Sequence, residues 1–114
     1  MRRGSTPIVT ITVPNQDFDD CNVYVTIDQD GNQVTKASRT SEDIEITKNY
    51  DDEGTFLSSD VAVYLTQEDT MQFAVGNAEV QIRWIDTNEN AYVTDISKFK
   101  LERTLLEGVI EYGD

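Results

Sequence analysis

The sequence is 114 residues long, enough for one domain that buries roughly two-thirds of its unfolded surface. Nine Lys and Arg stand against 22 Asp and Glu, and a net charge of −13 opposes binding to nucleic acid or anionic lipid before any specific contact forms. There is no histidine and Cys21 is the only cysteine, so the commonest general base, the Cys-His and Ser-His pairs and any intrachain disulfide are excluded.

Residues 1–7 are polar and read as an N-terminal arm. Val9, Ile11 and Val13 then alternate with Thr10 and Thr12 in a first strand that Pro14 stops. Asn15 to Asp20 is an acidic loop with Phe18 as its plug, and Cys21 beyond it is expected as a small buried hydrophobe. Val23, Val25 and Ile27 mark a second strand. Asp30-Gly31 is a hairpin signal, because glycine supplies the positive φ of a short turn. The return strand, about Gln33 to Arg39, is polar on both faces apart from Val34 and Ala37 and suits an edge. Ile44 and Ile46 mark a short fourth strand before the acidic turn at 50–54, and Val61, Val63 and Leu65 mark a fifth.

The period then changes. Thr66 is a helix N-cap with Glu68 and Asp69 in the first turn, which predicts a short helical crossover near residues 67–73. Residues 77–86 form the most regular strand, Val80, Ile82 and Trp84 alternating with Glu79, Gln81 and Arg83, and the single tryptophan is expected as the core's central plug. A turn over Asp86 to Asn90 follows. The strand from Ala91 to Thr104 changes face near Asp95-Ile96-Ser97, where a kink or bulge is expected. Seven or eight strands with short turns and one crossover predict an all-β, immunoglobulin-like antiparallel β-sandwich over residues 8–104. Residues 105–114 are an apolar tail, either a last strand tucked against the domain or a segment that docks on a neighbour.

The search for chemistry is negative. Asp28 to Asn32 carries oxygen side chains at alternate positions, but the glycine and glutamate that a calcium loop needs fall out of place, and a hairpin is the better reading. Asp17, Asp19, Asp20, Asp51, Asp52 and Glu53 would meet around a cation only if their two loops share one end of the sandwich. Nucleophile elbow, phosphate-binding loop and metal-spaced Cys or His clusters are all missing. The expectation is a protein without enzymatic activity, cofactor, resident metal or small-molecule substrate. The arm lacks an apolar continuation of signal-peptide length and no apolar run reaches membrane-spanning length, so a cytoplasmic protein is expected. Tyr24, Tyr64, Tyr92 and Tyr112 are placed on outer faces, where tyrosine serves interfaces or covers strand backbone.

Several stretches, Met1 to Pro7, Leu65 to Met71, Val80 to Arg83, Thr94 to Ile96 and Glu102 to Ile110, resemble a family of short proteins from prophages and tailed phages of Gram-positive gut bacteria, found among tail and baseplate genes. The strand pattern is also similar to the N-terminal β domain of phage baseplate upper proteins. The resemblance implies a virion structural protein of the tail or baseplate, in the cytoplasm or assembled into a virion, whose partners are other tail or baseplate proteins or a second copy of itself. The chain departs from the family pattern in a longer acidic loop at 51–54 and in the added residues 111–114. Arg2 and Arg3 in the arm, and Leu105, Leu106, Val109, Ile110 and Tyr112 in the tail, are the expected partner-binding residues, the arginines pairing with the acidic body of a neighbour. The competing reading is a carbohydrate-binding or adhesion module, a use β-sandwiches often serve.

Overall fold

The computed structural model describes residues 1–113, and Asp114, in the tail, lies outside the described residues. Strands β1 (Ile8–Pro14), β2 (Asn22–Gln29), β3 (Asn32–Ala37), β4 (Ile44–Tyr50) and β5 (Phe56–Tyr64) precede the helix α1 (Gln67–Met71). Strands β6 (Gly76–Ile85), β7 (Ala91–Val93) and β8 (Ser97–Leu101) follow it. Every ladder between strands is antiparallel. One sheet has the order β1-β5-β4; the other runs β3-β2-β6, with β7 and β8 sharing the far side of β6. The expected antiparallel β-sandwich is the observed fold, and α1 carries the chain from one sheet to the other.

The core lies between the sheets, where the alternating residues meet. Val61, Val63 and Leu65 face Val23, Val25, Ile27, Val80 and Ile82, all nearly inaccessible to solvent. Trp84 is 8% exposed and closes one end of this layer. Phe18 folds back from its loop and meets the indole edge-on, with ring centroids 5.0 Å apart at 84°. Tyr92, opposite Trp84 in the β6–β7 ladder, stacks on it at 5.6 Å and 22°. Trp84 Nε1 has no hydrogen-bond partner among the described residues, so the indole is held by packing alone.

Three of the turns are built on aspartate. Asp30 and Gly31 take φ of 52° and 90° in a two-residue hairpin between paired Gln29 and Asn32, as that turn type requires. The Asp51 carboxylate accepts from the Glu53 and Thr55 amides at 2.9 and 2.8 Å, and Asp86 does the same for Asn88 and Asn90 at 2.9 and 3.0 Å. Aspartate is used here to replace missing backbone partners at loop tips. Where a kink or bulge is expected near residues 95–97 the strand divides in two: β7 ends at Val93, β8 begins at Ser97, and Thr94 between them exchanges hydrogen bonds with the Ile82 backbone. Around α1 the capping box is complete, with Thr66 Oγ1 accepting from the Asp69 amide and the Asp69 carboxylate accepting from the Thr66 amide.

Candidate functional site

The arm and the tail converge beside α1. Met1 donates from its amino group to Lys100 O at 3.0 Å, and Arg2 forms a parallel bridge with Glu102. The arm is therefore a short rib along the end of β8. Thr70 fastens its other side: the fully buried hydroxyl accepts from the Gly4 amide and donates to Ser5 O, both at 2.9 Å. Gly4 has φ +81°, so the turn favours glycine for its backbone, while the 3.2 Å approach of a Cβ to Met71 Sδ is one that a flexible side chain can relieve.

Both arginines are engaged within the chain. Arg2 reaches the Glu102 carboxylate at 3.3 Å and Arg103 O at 2.8 Å. Arg3 donates from Nε to Phe73 O and from Nη2 to Met71 O, satisfying carbonyls where the helix ends. Its Nη1 holds both Glu107 oxygens at 2.8 and 2.7 Å. Within the single chain, both guanidiniums meet carboxylates of the chain itself.

The tail forms no strand over residues 103–113. Gln67 holds it by a two-point bond, Nε2 donating to Ile110 O at 3.0 Å and Oε1 accepting from the Ile110 amide at 2.8 Å. Its apolar side chains stay in solvent: Leu105 is 86% exposed, Leu106 70%, Val109 51% and Ile110 58%, with Tyr112 wholly exposed. The structure thus gathers all the expected partner-binding residues into one region. The residues that build it, Gln67, Thr70, Glu102 and Glu107, are not among the expected partner-binding residues, because each meets a partner dozens of positions away.

Two lysines that the alternation did not single out point between the sheets. Lys36 on β3 holds Asp43 and Asp69, each at 2.7 Å, with 11% of its side chain exposed. Burial opposes the Lys36 charge, but the two carboxylates prevail and raise its pKa. Lys48 on β4 grips Asp17 at 3.2 Å and Asp19 more closely, and these carboxylates push its pKa up to about 12. The loop around Phe18 is thereby clipped to the opposite sheet. Among the described residues, no group of His, Cys, Asp or Glu side chains is disposed to hold a metal ion. Cys21 is half-buried, and burial together with the charges of Asp86, Asp17 and Asp20 raises its thiol pKa, an environment that suppresses thiolate chemistry.

Exposed tyrosines are spread over the molecule. Tyr24 borders a shallow basin of about 450 Å³ with Arg83 and Ile85 on the outer face of the larger sheet. Tyr64 lies on the other sheet and donates to Glu45 at 2.7 Å, while Tyr92 shields Trp84. No helix among the described residues is long and apolar enough to cross a membrane. No protein-family model matches the chain, and a search of curated proteins returns no match.

Proposed function

We propose that this protein is an assembly component acting through protein–protein contacts, a structural protein of a phage-derived tail or baseplate. The observation that carries the assembly reading is the tail: a segment anchored at Glu107 and Ile110 presents Leu105, Leu106 and Tyr112 to solvent, apolar surface of the kind that marks an interface. The phage assignment rests on the sequence resemblance. The strand order supports the immunoglobulin-like reading of the sandwich, since β1-β5-β4 against β3-β2-β6-β7 follows such a fold's B-E-D and C′-C-F-G sheets without a first strand. The test is light scattering at several concentrations, alone and with the products of neighbouring genes. A stable complex or a concentration-dependent mass is expected. A strict monomer that binds none of those proteins overturns the proposal.

A further inference from the structure

Among the described residues β1 pairs only with β5, which leaves its other edge open, and the hydrogen-bonding phase of that ladder can be read directly. Asn15 N–H donates to Leu57 O at 2.9 Å and Leu65 N–H to Pro7 O at 3.1 Å, one bond at each end of the β1–β5 ladder. In an antiparallel pair the bonded residues alternate, so odd-numbered residues of β1 face β5 and even-numbered ones face outward. Ile8, Thr10 and Thr12 therefore present free N–H and C=O groups to solvent, and Pro14, which has no N–H, ends the row. Beside this edge the sandwich is not sealed. A groove of about 490 Å³ runs between β1 and β8, lined by Val9, Ile11 and Phe99 and reaching Val80 in the core. Val9, Ile11 and Phe99 pack on the core yet remain only partly buried.

We infer that this seam receives the tail of a second copy of the chain, laid as an added strand on β1. The inference rests on the assembly reading above and names its partner. The charge match is local, since two copies at −13 each repel as wholes. Among the described residues, Arg39, Arg83, Lys98, Lys100 and Arg103 are the basic residues without an ion pair, and three of them lie on β8 or just after it. Lys98 lines the groove, and Glu111 stands among the apolar residues of the tail as its counterpart. Length fits as well. Residues 108–113 span about 20 Å when extended, against about 16 Å for the open stretch from Ile8 to Thr12. As a strand they place Ile110 and Tyr112 on one face, toward the groove, and Val109 and Glu111 on the other. Gly108, at φ +95° with nothing within 4 Å of a Cβ, is the hinge, and the two bonds between Gln67 and Ile110 are exchanged for the new ladder when the tail leaves its own body. Main-chain bonding supplies affinity in this mode and the alternate side chains supply specificity.

The test uses two variants of the full chain. Thr10→Pro removes an outward N–H without touching the β5 ladder, and Ile110→Asp spoils the donated strand. Sedimentation velocity over a range of concentrations is expected to show the wild type associating and each variant alone as a monomer with an unchanged circular dichroism spectrum. A mixture of the two variants restores a one-to-one complex, because each keeps the half the other lacks. Hydrogen exchange adds a readout that needs no variant: the amides of Ile8, Thr10 and Thr12 become protected as wild-type concentration rises, and stay protected if Thr10→Pro fails to fold. A wild type that is monomeric throughout, a mixture that does not associate, or association without protection of those amides overturns the inference. A monomer that still binds neighbouring gene products removes the second copy and leaves the assembly role standing.

Discussion

Trp84→Ala tests the packing argument most directly. The indole is 8% exposed, wedged between the edge of Phe18 and the face of Tyr92, and excising a core aromatic costs about 3–5 kcal/mol. Two features pull the value toward the lower end. The buried Nε1 has no partner among the described residues, so its loss recovers about 1 kcal/mol of desolvation. Tyr92 is 47% exposed and free to lean into the gap, which shrinks the cavity that the larger penalties assume. The expected loss is therefore about 3 kcal/mol, out of a total of roughly 6–17 kcal/mol for a domain of 114 residues. Urea titration followed by far-ultraviolet circular dichroism measures it, since the variant has no tryptophan fluorescence, and the melting temperature falls by roughly 10–15 °C. Trp84→Phe, which keeps a ring in the stack and discards the unpaired nitrogen, costs only about 1 kcal/mol. A Trp84→Ala variant within about 1 kcal/mol of the wild type, or one that folds normally and loses a binding partner, refutes the assignment of this residue to the core.

Lys36→Met strands the Asp69 carboxylate, 14% exposed, and is expected to cost about 2–3 kcal/mol in the same titration. The pH dependence of stability follows from the same pair. Burial opposes ionisation of Asp69, but Lys36 and the Thr66 amide prevail and hold its pKa below 3.8, so its contribution is present above that pH and disappears as pH falls through the lower folded value. Lys36 is held above 10.5, so its contribution is complete below 10.5 and disappears as pH rises through the folded value; urea titrations across pH should show both limbs shrink in Lys36→Met. Thr70→Val leaves the Gly4 amide and Ser5 O without their partner and should cost about 1–3 kcal/mol, with faster hydrogen exchange confined to residues 1–6. Millimolar calcium is expected to leave the melting temperature unchanged, because Lys48 already occupies the space between Asp17 and Asp19; a rise would reveal a cation site that the ammonium does not block.

The alternating stripes were legible because each is local: Val23-Val25-Ile27, Val61-Val63-Leu65 and Val80-Ile82-Trp84 all bury the face that their period implies. Two strands ran longer than the pattern allowed. β4 continues through inward Lys48 to Tyr50, and β5 begins at Phe56 and carries a fully buried Ser59 whose hydroxyl donates to Gln16 O at 2.6 Å. A polar side chain on the core face breaks the alternation, and the partner that makes it tolerable lies in another element, outside any local window. The terminal region shows the same limit more sharply. Arg3 and Glu107 are 104 positions apart, and nothing near either residue announces the other.

Edges are a different matter, because periodicity is blind to them. Val9, Ile11 and Val13 alternate as cleanly as Val80, Ile82 and Trp84, yet β6 is paired on both sides while β1 is paired on one. The difference appears in burial. Val80 and Ile82 are almost fully enclosed, whereas Val9 and Ile11 are only partly covered although they face the same core. An alternating sequence specifies which side chains turn inward; whether anything closes the flank beside them depends on strand order, which is set by the whole chain. Pro14 was the one local clue, since a proline at a strand's end is compatible with an edge and costly in a central ladder. The open flank of β1 and the uncovered tail are thus two exposed apolar surfaces of one chain, and the proposed pairing would cover both.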